Sequence, residues 1–234
     1  MAVQDDGREN EVIDLLGLEK GSERSGVDAY YKFTKDERDY VVEIELKSTT
    51  NSTVSTARDV GIEHIKKWRS KYWIIAFYDS TGKKLVSLLG LSPEEMEPWI
   101  KYIEDYICPD FKISYLAAEK LGLKDLYQVC EQKSVYSSSD AKKIHKQQWS
   151  TERYEIEKDV PKGYSEEKML EILKLRSRYL SERGSTLNNP HITQSFLRTF
   201  SNKMITIEKL QNVKTKQEFL RQMSESWILY ISKK

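Results

Sequence analysis

The sequence predicts a chain of the α/β (α+β) class, and three stretches carry that prediction. Residues 41–48, VVEIELKS, alternate so that Val42, Ile44 and Leu46 share one side of a strand while Glu43, Glu45 and Lys47 share the other. Residues 72–79, YWIIAFYD, form a nearly continuous apolar run rich in aromatic and β-branched residues, as expected of a buried central strand. Between them, ARDVGIEHIKKWRSK places Ala57, Gly61, Ile65 and Trp68 at the spacing of one buried helix face.

Taken in order, the chain opens with a helix predicted over Arg8 to Leu16. Glu9, Val12, Ile13 and Leu16 fall on one face, so Glu9 can point toward a sheet, although an early glutamate also complements the helix dipole. GSERSG then connects to a second β-like run, VDAYYKF. Pairing this run with residues 41–48 as a hairpin about the polar turn Thr34 to Asp39 brings the carboxylate of Asp28 beside that of Glu45. In the following helix Thr56-x-x-Asp59 reads as a capping box, and Gly61 permits close packing on a sheet. Arg58 and the segment Ser55-Thr56 fall near the acids, where an arginine and a helix start both suit phosphate. After the buried strand, DSTGKK turns the chain into another strand, LVSLLG.

Ser92-Pro93-Glu94-Glu95 starts a helix that carries Met96, Trp99, Ile100 and Ile103 inward and is expected to end near Pro109. Pro109-Asp110-Phe111-Lys112 reads as a helix stop and turn, and SYLAAEKLGLKDLYQVC as a further helical piece. Residues 134–143, SVYSSSDAKK, have the composition of a linker or mobile loop, dividing a core of residues 1–133 from a part spanning 144–234. That second part opens with HKQQWSTERY, a mix of cations, glutamines and aromatics, and continues into a long helix, YSEEKMLEILKLRSRYLSERG, closing at Gly184. Met169, Ile172, Leu173 and Leu180 can pack there, while Lys174, Arg178 and Arg176 present a basic face. Asn188, Asn189, His191, Thr193 and Gln194 then gather in a loop leading into a short helix. Asn and Gln can pair with adenine and Arg or Lys with guanine, though NNP also makes an ordinary turn before an N-cap. TKQEFLRQMSE reads as a helix and WILYISKK as a closing strand with two apolar faces.

The bulk properties narrow the function classes. The formal net charge of +1 conceals a division: residues 1–140 carry 19 Lys/Arg against 26 Asp/Glu, whereas residues 141–234 carry 19 against 11. Such asymmetry points to a polyanion-binding portion or to a lysine-rich solvated surface. No apolar run approaches the length of a membrane span, and MAVQDDGREN lacks the apolar region of a signal peptide. Cys108 and Cys130 have no metal spacing, which argues for small core thiols and a reducing, cytoplasmic setting. His64, His145 and His191 show no zinc or nucleophile pattern, and no phosphate-cradling glycine loop occurs.

Chemistry concentrates on Asp28, Glu45 and Lys47. Two carboxylates converging at a strand end hold a hard divalent ion through oxygen, and a lysine two residues on lies on the same face. That combination suits phosphodiester hydrolysis. An E-x-K triplet alone is common; Glu131-Gln132-Lys133 and Glu166-Glu167-Lys168 are two more, and a charged face on an edge strand also guards against aggregation.

The order of helix, strand with Asp28, strand with Glu45-x-Lys47, helix and buried strand resembles the PD-(D/E)xK nuclease superfamily over roughly residues 8 to 90, with Val27 where that family carries a proline. The resemblance implies a mixed central sheet flanked by helices, a restriction-endonuclease-like core with a mostly helical C-terminal part. It implies Asp28 and Glu45 as Mg2+ ligands, Lys47 as the residue that positions water, and Glu9 as an assisting acid. The expected activity is that of a type II restriction endonuclease cutting double-stranded DNA, as a homodimer, to leave 5′-phosphates. Arg58, Lys174, Arg178, Asn188, Asn189, His191 and Gln194 are the expected DNA contacts. A repair or structure-selective nuclease with the same site, and a non-catalytic DNA-binding protein, remain the alternatives.

Overall fold

In the computed structural model, residues 2–22, 26–57, 60–184 and 189–233 are described, with side chains omitted at 2–6 and 184. The expected DNA contacts Arg58 and Asn188 therefore lie outside the described residues. Among those described, the fold is α+β: a mixed six-stranded sheet flanked by helices. The chain forms two compact units, one of residues 1–105 and 187–234 and the other of residues 106–186.

The sheet belongs to the first unit. Helix α1 (Ala2–Leu16) leads through β1 (Glu19–Lys20) into the hairpin of β2 (Ala29–Lys35) and β3 (Arg38–Thr49). The hairpin turn is tighter than the predicted Thr34–Asp39. Only Asp36 and Glu37 stand between the strands, both at positive φ (50° and 60°), as a two-residue turn matched to strand twist requires. Beyond β4 (Val54–Ser55), helix α2 (Ile62–Arg69) crosses to β5 (Tyr72–Tyr78), which pairs parallel with β3; β6 (Leu85–Leu91) returns antiparallel. With β8 (Ile205–Thr206) at the far edge, the order is β1-β2-β3-β5-β6-β8. The E-x-K strand is thus interior, so the edge-strand explanation of its charges fails.

The alternation read from the sequence holds on one face. Val42, Ile44 and Leu46 bury against Val12, Ile13 and Leu16 of α1 and against Phe219, Met223 and Trp227 of α10 (Val213–Ser232). On the opposite face Glu45 is 6% exposed and meets the ammonium groups of Lys47 and Lys71 rather than water, while Glu43 and Lys47 are half-buried.

Several predicted boundaries move. Helix α2 begins at Ile62 with Gly61 as N-cap, and Thr56 Oγ1 donates to the Pro190 carbonyl (2.7 Å) instead of capping the helix. Helix α3 (Pro93–Glu119) runs through Pro109. Buried Ile103, Ile107, Ser114 and Ala118 keep one helical phase across the proline, and that packing outweighs the lost backbone donor. The terminal WILYIS is helix, not strand, because Phe219, Met223 and Trp227 recur every four residues on the core side while Leu229 is exposed.

In the second unit, α4 (Leu123–Val129), α5 (Ser138–His145), α6 (Thr151–Ile156) and α7 (Glu166–Gly184) gather Leu126, Tyr136, Ala141, Ile144, Tyr154, Tyr164, Met169, Ile172 and Leu173 into one core. The linker expected at 134–143 is part of this core. Ser137 caps α5 by accepting from the Asp140 amide while Asp140 accepts from Ser137, so the serine run starts a helix. Leu180, expected to pack, is exposed.

The helical register of α10 yields a direct expectation. Trp227→Ala should cost about 3–5 kcal/mol in chemical denaturation, and Leu229→Ala should stay within about 0.5 kcal/mol. Equal losses at both positions would contradict the helix and restore the strand.

Candidate functional site

The register of the hairpin decides where the acids meet. Its last described pair is Ala29 with Ile44, so Asp28 and Glu45 face each other one step beyond it. Asp28 Oδ2 accepts from the Leu46 amide at 2.8 Å, which pins the aspartate to the strand that bears Glu45 and Lys47. The ammonium of Lys47 is then enclosed by oxygen: Glu45 Oε1 at 2.7 Å, the Leu46 carbonyl at 2.9 Å and Asp28 Oδ2 at 3.7 Å.

Two residues that the sequence reading did not place at the site complete it. The Lys71 ammonium, at the entry to β5, donates to Glu45 Oε2 at 2.6 Å and to the Gly26 carbonyl at 3.1 Å. Trp68 Nε1 donates to Glu45 Oε1 at 3.1 Å. Lys71 and Trp68 are almost wholly buried. The Trp68 indole contacts those of Trp73 and Trp99, with ring centres 5.5–5.9 Å apart among the three, so an aromatic wall stands beneath the carboxylate. One signal for Lys71 exists in the sequence: it heads an otherwise apolar strand at the same parity as Trp73, which pairs with Glu45.

These surroundings set the ionisation of the cluster. Burial opposes the charge on Glu45, but the ammonium groups of Lys47 and Lys71 outweigh it and hold the carboxyl below its ordinary value of 4.5. For Asp28 burial wins: together with the neighbouring Glu45 charge it raises the carboxyl above its ordinary value, against the pull of Lys47. Burial lowers Lys47, yet Glu45 and Asp28 more than reverse this and keep it protonated, with Glu9 adding to the pull.

A cleft of about 360 Å³ opens beside Lys47, lined among others by Arg8, Glu9, Lys47, Ser55, Thr56 and Asn189. The strand β7 (His191–Ile192) pairs with β4, and Trp99 Nε1 donates to the His191 carbonyl (3.2 Å), so the polar loop is tied to the tryptophan cluster. Asn189 adopts positive φ (57°) at the cleft wall. His191 is exposed, its ring within 3.2 Å of Ser55 Oγ; Gln194, exposed, opens the short helix α8 (Gln194–Arg198). The structure thus brings Glu9, Asp28, Glu45, Lys47 and Asn189 to one place. Lys174 and Arg178 belong to the other unit and do not form the open basic face expected of them. Lys174 pairs with Glu119 (3.0 Å) and Arg178 with Glu182 (2.6 Å), and Arg176 stacks on Tyr179.

Among the described residues no group of three or more His, Cys, Asp or Glu side chains is placed to hold a metal. The donor set at Lys47 nevertheless fits a hard cation, because two carboxylates and one carbonyl already surround a positive charge there. Compared with known protein families and with curated proteins, the chain matches none. Among the described residues no helix is long and apolar enough to cross a membrane.

The pairing of Glu45 has a pH signature. Its lowered pKa gives stability that is present above the ordinary value of 4.5 and lost as pH falls through the folded value. Glu45→Gln should therefore be less stable than wild type near neutral pH, with the gap closing in acid-denaturation series below pH 4.5. A gap independent of pH would show that the carboxylate charge is not what the lysines hold.

Proposed function

We propose that this chain is a Mg2+-dependent endodeoxyribonuclease that cuts double-stranded DNA at defined sequences, in the manner of a type II restriction enzyme. One observation supports the reading above all others: Asp28, Glu45 and the Leu46 carbonyl surround a single cation position at the lip of a polar cleft. Asp28 and Glu45 would hold the divalent ion, which supplies charge neutralisation at a phosphate and a more acidic water. Hard oxygen donors suit Mg2+, which keeps several waters when held by one or two carboxylates.

The chain's own groups do the rest. The backbone bond from Leu46 fixes Asp28, and Trp68 with Lys71 fixes Glu45, so the acids are oriented before any ligand arrives. Lys47, still protonated, can turn its ammonium from the acids to an attacking water or a phosphate oxygen in the cleft. Asn189 with Ser55 on the cleft wall offers neutral polar groups to a DNA backbone, and exposed His191 and Gln194 on the adjoining segment can reach base edges. A two-fold dimer would match a palindromic site.

The test is cleavage of plasmid and phage DNA by the purified chain. Discrete bands with 5′-phosphate ends are expected in Mg2+ and none in chelator. Asp28→Asn, Glu45→Gln and Lys47→Ala should each lower the rate by about 10²–10⁴ while duplex affinity is retained. Random cutting or structure-selective nicking would replace the restriction reading with that of a repair nuclease. Undiminished cutting by the three variants, or no cutting under any divalent ion, would leave the acids and lysines as a buried structural ion cluster.

A further inference from the structure

Lys71 is not one of the three residues on which the nuclease reading was built, yet it is the most deeply placed charge at the site. It is 3% exposed, and its ammonium has two described partners: Glu45 Oε2 at 2.6 Å and the Gly26 carbonyl at 3.1 Å. Gly26 lies two residues before Asp28, so one ammonium clasps the segment that delivers Asp28 to the carboxylate of Glu45. The opposite oxygen of Glu45 is taken by Lys47 and Trp68. The two lysines differ in freedom. Lys47 lines the cleft, whereas Lys71, immediately before the buried strand β5, is almost wholly enclosed and is not part of the cleft lining.

The consequence for a divalent ion is electrostatic. Lys47 can leave the oxygen cage toward the cleft when a metal enters; Lys71, enclosed, would keep its charge within a few ångströms of the ion. A fixed positive charge there repels the incoming cation in a region shielded from water, where such repulsion is strong. The same charge keeps Glu45 ionised and oriented before the ion arrives.

We propose that Lys71 is a positioning residue that sets the divalent-cation affinity of the Asp28–Glu45 pair: it holds the acids in register at the expense of tight metal binding. The assignment rests on the nuclease reading of the same site. It makes cation capture weak in the free protein, so that occupancy depends on a polyanion supplying further oxygens and charge.

The probe is Mn2+ alone, titrated without DNA into the full chain by calorimetry or electron paramagnetic resonance, with the signal of Glu45→Gln subtracted. Lys71→Gln keeps a donor near Glu45 but removes the charge, and should bind Mn2+ at least about tenfold more tightly than wild type. Lys71→Arg, which keeps the charge, should bind as wild type does. Binding by Lys71→Gln that is equal to or weaker than wild type would overturn the assignment and leave the metal reading standing. Silence from both wild type and Lys71→Gln would overturn the metal reading and this one together. Should Lys71→Gln be unfolded without metal, Mn2+-driven recovery of its circular dichroism would support the proposal. Failure to recover at saturating Mn2+ would show that Lys71 is needed for the fold alone.

Discussion

A carboxylate buried beneath a sheet and held by two ammonium groups is the constraint around which the first unit is arranged. Glu45 is nearly inaccessible to water, and an isolated ionised carboxylate there would be costly. Lys47, Lys71 and the Trp68 indole meet that cost from three sides. Each comes from a different part of the chain: the same strand, the start of the parallel neighbour and the crossover helix between them. The β3–α2–β5 crossover is therefore tied together by charge as well as by apolar packing.

The second tie runs through tryptophan. Trp68 connects the carboxylate to Trp73 on the sheet and to Trp99 on α3, and Trp99 reaches the backbone of His191. A polar loop distant in sequence is thereby held at the mouth of the cleft beside Lys47. The arrangement lets one apolar layer support both the acids and the polar loop at the cleft.

What could be read from the sequence was local or periodic. The two-residue alternation of β3 and its pairing with β2 were legible because one face is strictly apolar, and the register then placed Asp28 opposite Glu45 without further information. The apolar run of β5 announced a central strand. What escaped the reading depends on distant partners. Lys71 looks like the end of a basic helix until Glu45 and the Gly26 carbonyl are brought to it. WILYIS is rich in residues that favour strands, but Phe219 and Met223 set its phase from earlier in the helix. Ser137 and Asp140 turned a stretch with linker composition into a capped helix, and Pro109 was overridden by packing on both sides. Lys174 and Arg178, read as free cations, meet Glu119 and Glu182 in the folded unit.

The central claim is that Asp28, Glu45 and the Leu46 carbonyl form one cation position that an ammonium now fills. Anomalous diffraction from crystals of the full chain grown with Mn2+ and duplex DNA tests this most directly. The account predicts an anomalous peak in contact with both carboxylates, with the Lys47 ammonium turned into the cleft and Lys71 unmoved. Lysines in their present places and no peak at the acids would contradict it.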